Sequence, residues 1–293
     1  MPNTIISRII LPLLLLALCG CNMQRNMLYH PSKYLPSQAA LSTYNIQYWP
    51  SNPKEYRGFI STRHAGALKG TIIVFHGNAG TAADRVYYVQ ALTRLGYRII
   101  LAEYPGYGTR KGELGEVSFV QDAKETLRLA SEKYGSPIYL LGESLGCAVA
   151  AAAAKDPPLE PFSGAGGSLE QRDIPQSREA RDVRGANIDG IILITPWDTL
   201  LSVAKEKFTW LPVSWFLRDT YDSIGNLKGY PGRIAVIGAE QDEVIPLHHA
   251  EALFSSLPGS RKMYVIKGAG HNDWLRMVDL SWWKEITGFI EGN

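Results

Sequence analysis

Short, solid apolar runs alternate along this chain with longer segments of helical period. Thr71-Ile72-Ile73-Val74-Phe75 and Arg98-Ile99-Ile100-Leu101-Ala102 are continuous runs, as expected of strands covered on both faces. Ile138–Leu141, Ile188–Ile194, Ile234–Ile237 and Met263–Ile266 extend the series. Asn45–Trp49 and Tyr56–Thr62 read as an opening antiparallel pair. Between the runs, Ala82–Leu95 and Val117–Tyr134 carry helical periodicity, the latter with Val120, Ala123, Leu127 and Ala130 along one stripe. Cys147–Ala154, Leu247–Leu257 and Trp274–Ile290 are further helices. Strands that alternate with helices predict an α/β domain with a mostly parallel, eight-stranded sheet covered on both faces, spanning 44–293.

Two stretches break this rhythm. Residues 156–186 hold Pro157-Pro158, Gly164-Ala165-Gly166-Gly167 and a charged run from Glu170 to Arg184, with almost no apolar residue. They read as a polar, flexible insertion, either a tolerated surface loop or a gating or partner-binding one. At the other end, Arg8 precedes the apolar run Ile9–Leu18, which is too short to span a bilayer and suits the core of a signal peptide, here 1–20. The run ends in Leu18-Cys19-Gly20-Cys21, which resembles a bacterial lipobox, with Cys19 in a slot usually held by a small aliphatic or hydroxyl residue. That resemblance implies lipidation of Cys21, a tether over 21–43 and, with Asn22 next, a place at the outer membrane facing the periplasm.

Composition narrows the picture. The 293 residues are 45% hydrophobic, enough for a sizeable core, and the formal net charge of +2 without a basic stripe gives nucleic acid no surface. Cys19, Cys21 and Cys147 are the only cysteines. Cleavage before Cys21 and its lipidation would leave Cys147 without a disulfide partner, packed as a small core residue.

The chemistry centres on Gly142-Glu143-Ser144-Leu145-Gly146, set between an apolar strand and an Ala-rich helix. Strand, G-x-S-x-G, helix is the setting of a nucleophile elbow, where the turn is too tight for bulky neighbours. A serine hydroxyl needs an adjacent base. Among the six histidines, His271 lies in Gly268-Ala269-Gly270-His271-Asn272-Asp273, directly after the last strand, and is the candidate base. The base in turn needs a carboxylate. Asp242, after the preceding strand, is the candidate; Glu240 and Glu243 read as surface or helix-start residues. Asp198 is the runner-up acid and reads better as the N-cap of a helix from Thr199. An oxyanion requires two fixed donors, assigned to the backbone N–H of Leu145 and that of Asn78 in His76-Gly77-Asn78-Ala79-Gly80. His76 reads as structural. No metal or cofactor is expected.

These motifs, with Glu103-Tyr104-Pro105-Gly106-Tyr107-Gly108, resemble the α/β-hydrolase superfamily over about Tyr44–Ile290, and within it the BEM46-like group. The resemblance implies the α/β-hydrolase fold with a small cap. It also implies a Ser144–His271–Asp242 triad acting on a small-molecule or acyl substrate, an ester or thioester. A peptidase or amidase of the same fold and a non-catalytic lipoprotein scaffold are the alternatives. Oligomeric state stays open. Phe208–Leu217 falls where such enzymes build the cap; it either lines an acyl pocket or forms an amphipathic helix on the body. The 156–186 insertion departs from the short connection usual in the group, as do Lys111 and Gly112, which stand where a serine-containing turn often follows the Gly-Tyr-Gly run.

Overall fold

Eight apolar runs hydrogen-bond into one sheet in the computed structural model, which describes residues 24–52, 54–155 and 187–292. The strands are β1 (Ile46–Trp49), β2 (Gly58–Ser61), β3 (Gly70–Phe75), β4 (Tyr97–Ala102), β5 (Ile138–Glu143), β6 (Gly190–Ile194), β7 (Arg233–Ala239) and β8 (Arg261–Ile266). Their spatial order is β1-β2-β4-β3-β5-β6-β7-β8. All neighbours from β4 to β8 run parallel, and only the β1–β2 and β2–β4 pairs are antiparallel. The expected leader 1–20, Cys21 and the 156–186 insertion lie outside the described residues.

The helices are α1 (Gln38–Thr43), α2 (Val86–Leu92), α3 (Glu116–Tyr134), α4 (Leu145–Lys155), α5 (Leu200–Lys207), α6 (Ser223–Leu227), α7 (Leu247–Ser256) and α8 (Leu280–Glu291). Alternate residues along each strand feed opposite cores. Ile73, Phe75, Leu140, Ile191 and Val236 pack with α3, α4 and α7. Ile72, Val74, Leu141, Ile192 and Ile237 pack with α2 and α8. Both faces of the inner strands β3, β5, β6 and β7 are therefore covered, which explains why their runs are almost wholly apolar.

Several expected elements shift. The 82–95 helix is interrupted: 3₁₀ turns at Ala82–Arg85 and Thr93–Leu95 flank α2. In α3 it is Phe119, not Val120, that joins Ala123, Leu127 and Ala130 in the buried stripe. The last helix breaks into a 3₁₀ turn at Trp274–Met277 and α8, because the Asp279 side chain accepts from the Trp282 N–H and starts a new helix. Residues 24–43, the described part of the expected 21–43 tether, pack against the domain. Tyr29 and Leu41 are buried, and His30–Pro31 forms a short parallel bridge with Ala79–Gly80. Two backbone bonds made by that bridge and a buried aromatic hold this segment against the domain.

Candidate active site

The sharp turn after β5 is set by sterics. A Cβ on Gly146 would run into the Phe75 carbonyl oxygen, and one on Gly142 into the Cys147 backbone. Ser144 between them sits at φ +53°, a strained conformation for a residue with a side chain. The strain is held from both sides: the Ser144 N–H donates to the Ile194 carbonyl at 2.9 Å, and its own carbonyl accepts from the Cys147 N–H at 2.9 Å. The Cys147 thiol donates to the Gly142 and Ile194 carbonyls, and its burial pushes the thiol well above its ordinary pKa.

Loops at the C-terminal ends of β7 and β8 bring two more side chains to the elbow. His271 Nε2 lies 3.0 Å from Ser144 Oγ, and His271 Nδ1 lies 2.7 Å from Asp242 Oδ2. Asp242 is held by its other oxygen, which accepts from the N–H groups of Val244 at 2.9 Å and Ile245 at 2.7 Å. All three side chains are nearly buried, at 9% exposure for Ser144, 7% for Asp242 and 9% for His271. Low local dielectric strengthens each bond in this chain. In chemical terms the arrangement can take a proton from the serine hydroxyl and stabilise the resulting imidazolium.

Asn78 and Leu145 line the same cavity beside Ser144 and His271. Leu145 opens α4, so its N–H is one of the donors a helix start leaves without an intrahelical acceptor. The Asn78 loop is fixed by contacts absent from its own sequence. Its carbonyl accepts from the His30 N–H at 2.9 Å and the Tyr107 hydroxyl at 2.6 Å, and its side-chain Nδ2 donates to the Leu28 carbonyl at 2.9 Å. The N-terminal segment thus braces the candidate oxyanion loop. Glu143 adds a second brace. It accepts from Arg85 Nε at 3.2 Å, from the Tyr88 hydroxyl at 2.6 Å and from the Tyr87 hydroxyl, while Arg85 also donates to the Ala79 carbonyl. The elbow and the Asn78 loop are tied through one guanidinium. His76 is structural as expected: buried, with Nε2 3.1 Å from Glu103 Oε1.

Asp198 is neither the acid nor the cap. Thr199 caps α5, its side chain accepting from the Ser202 N–H. Asp198 instead bonds His249 Nδ1 at 2.9 Å. Glu206 sits 2.9 Å from His248 Nε2 and 3.0 Å from His249 Nε2, so α5 is pinned to the start of α7. Among the described residues, Glu206, His248 and His249 are the group whose donors converge closely enough for a metal ion. Sequence reading passed over this set because Glu206 lies on another element.

Above Ser144 opens a cavity of about 780 Å³. Its walls come from α5 through Leu200 and Val203, from the segment after it through Phe208, Leu211 and Phe216, and from Trp197, Ile245 and Trp274. The 208–217 stretch is not an amphipathic helix; only Val213–Trp215 makes a 3₁₀ turn, and Phe208, Trp210, Leu211, Val213, Phe216 and Leu217 line the cavity.

The family described as serine aminopeptidase S33 matches residues 66–165, which include Asn78 and Ser144 but neither Asp242 nor His271. An uncharacterized protein of Mycobacterium tuberculosis is 26% identical over 259 residues, covering 86% of this chain and 82% of the other. The lysophosphatidylserine lipase ABHD12 of Mus musculus is 26% identical over 222 residues, 70% of this chain; the chain spans 48% of that protein. Among solved structures, an esterase of Pyrococcus furiosus aligns with a TM-score of 0.59 at 13% identity, over 90% of this chain and 97% of that one. A thermophilic esterase of Thermogutta terrifontis with bound butyrate aligns at 0.57 and 14% identity, over 85% and 95%. With the sheet order and the elbow described above, these likenesses identify the fold: the chain is an α/β-hydrolase by architecture.

Proposed function

We propose that the chain is a serine hydrolase of acyl esters or thioesters, of the BEM46-like kind. Ser144 attacks the acyl carbonyl while His271 takes its proton. Asp242 holds the imidazole and stabilises its charge, and the N–H groups of Asn78 and Leu145 receive the oxyanion. His271 then protonates the leaving group, and water releases the acyl-enzyme by the same route. The observation that carries this reading is the Asp242–His271–Ser144 hydrogen-bond chain at the base of an apolar cavity. An apolar wall suits a fatty acyl chain, and the lipase relatives support a lipid ester as the substrate class.

The aminopeptidase description of the matching family favours a second reading. An aminopeptidase must bind a substrate ammonium, and Glu143 is the carboxylate in the cavity lining. Its oxygens already accept from Arg85, Tyr87 and Tyr88, which leaves the ester reading ahead. We further propose lipidation at Cys21 and attachment to the outer membrane facing the periplasm.

Labelling with a fluorophosphonate, followed by p-nitrophenyl esters of graded acyl length, tests the proposal. Wild type should label and hydrolyse them, and Ser144→Ala should do neither. Turnover retained within tenfold in Ser144→Ala would refute it.

A further inference from the structure

Of the nine large apolar side chains exposed on the described surface, five line the cavity or belong to turns that line it. Met27, Trp210 and Val244 are 51%, 79% and 39% exposed and line the cavity. Trp215, 83% exposed, closes the 3₁₀ turn whose Val213 is a cavity wall. Met277, 48% exposed, ends the turn that supplies Trp274 and Leu275. An exposed apolar rim around a cavity mouth marks an interaction surface, and tryptophans concentrate where water meets lipid.

The chain itself says what covers this rim. Gln24 lines the cavity, and its side chain is fastened to the cap: Oε1 accepts from the Arg218 N–H at 2.8 Å and Nε2 donates to the Asp219 carbonyl at 3.1 Å. Tyr29 then fixes the segment through Asp219 Oδ2 at 2.6 Å. Cys21 lies three residues before Gln24, and the apolar run Ile9–Leu18 just before that. Three residues of extended chain reach at most about 10 Å. Attachment at Cys21 therefore holds the bilayer within that distance of the cavity's edge, and attachment through the apolar run, six residues before Gln24, within about 20 Å.

We propose that this rim is a bilayer-docking face. The two indoles and the flanking methionines enter the interfacial region, and the cavity mouth opens onto the acyl layer, so that a lipid ester passes from membrane to Ser144 without crossing water. The proposal rests on the acyl-hydrolase reading for its consequence but not for its geometry.

The test uses the full chain reconstituted in phosphatidylcholine vesicles containing brominated phosphatidylcholine, which quenches indoles that enter the bilayer. Trp210 and Trp215 are exposed, Trp282 is half-buried and Trp49, Trp197, Trp274 and Trp283 are buried, so the quenching lost with Trp210 and Trp215 reports the rim. Wild type should be quenched, and Trp210→Phe with Trp215→Phe should remove most of the effect. In parallel, Trp215→Gln with Met277→Gln, neither of which lines the cavity, should leave p-nitrophenyl butyrate turnover within about twofold. The same variant should lose about tenfold on p-nitrophenyl palmitate held in vesicles, since interfacial binding scales with buried apolar area. Absent quenching overturns the docking face, and indoles shielded from both brominated lipid and acrylamide would show a second copy covering it. Equal loss on both esters also overturns it. Wild type that is quenched yet hydrolyses neither ester would refute the hydrolase reading while leaving the docking face standing.

Discussion

The backbone N–H of His30 donates to the carbonyl of Asn78 at 2.9 Å, linking the N-terminal described segment to the loop that would hold an oxyanion. The Asn78 side chain closes the same link from the other side through the Leu28 carbonyl. Docking of the N-terminal segment on the domain and preorganisation of the site therefore run through one stretch, 24–33. Asn78→Ala keeps its backbone N–H but removes the Leu28 bond. We expect kcat to fall about tenfold with little change in KM, because a loosened donor weakens only the transition state. An unchanged kcat would show that the His30 and Tyr107 bonds alone fix the loop.

The two carboxylates weighed as the triad acid should separate cleanly. Asp242→Asn disturbs the partner of His271 and should lower kcat by about four orders of magnitude. Asp198→Asn removes the charge from the bond to His249 that ties the turn before α5 to α7, and so weakens it. It should cost about 1–3 kcal/mol of stability and much less turnover. Paired kcat and melting measurements on both variants decide this; reversed ranking would move the acid to the loop after β6.

Most of the frame was readable in the sequence because its causes are local. A strand buried on both faces must be apolar throughout, so the inner runs from Ile72 to Ile237 announced themselves. Gly142 is dictated by the Cys147 backbone five residues on and Gly146 by the Phe75 carbonyl on a neighbouring strand, yet their spacing around Ser144 makes the elbow a local pattern too. What escaped was long-range or carried by the backbone. Residues 24–43 looked like a tether because they dock through main-chain bonds from His30 and Ser32, which leave no hydrophobic period. The Arg85–Glu143 brace joins residues 58 positions apart, and nothing in either neighbourhood names the other. Asp198 read as a cap because Asp and Thr both cap helices well, and Thr199 took the position.

That brace gives a third prediction. Arg85 and Glu143 are largely buried, with side chains 16% and 13% exposed. Glu143→Ala leaves the guanidinium without its carboxylate and should cost about 3–5 kcal/mol. Arg85→Met combined with Glu143→Leu should recover much of the loss, since an apolar pair leaves no buried charge. Chemical denaturation of the three variants measures it, and a double variant no better than Glu143→Ala would place the cost in the Tyr87 and Tyr88 hydroxyls left without an acceptor.

Burial gives Cys147 a pH signature. Its thiol is raised well above 9.0 in the folded chain by desolvation. A group raised on folding contributes fully below its unfolded value and loses that contribution as pH climbs through the folded one. Stability should thus fall above pH 9, where the unfolded thiol ionises and the folded one does not. In a Cys19→Ser, Cys21→Ser chain the remaining thiol should resist a disulfide reagent at pH 8 until denaturant is added. Prompt native labelling would mean that the elbow opens far more often than its bonded core implies.

The cavity wall should set acyl length. Ala204 lies on α5 among the lining residues, and α5 is held in place by Glu206 against His248 and His249. A larger side chain at this position cannot easily push the helix away, so Ala204→Phe should project into the space an acyl chain would use. Displacing about two methylenes would forfeit roughly 1.6 kcal/mol at about 0.8 kcal/mol each, slightly more than tenfold in affinity. The ratio of kcat/KM for a long p-nitrophenyl ester to that for a short one should therefore fall about tenfold or more. If α5 were loose, the helix would yield and the ratio would hold. Glu206→Gln weakens the pin, so combined with Ala204→Phe it should restore part of the long-chain activity. A preserved ratio in Ala204→Phe would mean that the acyl chain leaves the cavity by another wall. A lowered ratio that Glu206→Gln fails to relieve would show that Asp198 and His249 suffice to fix the helix.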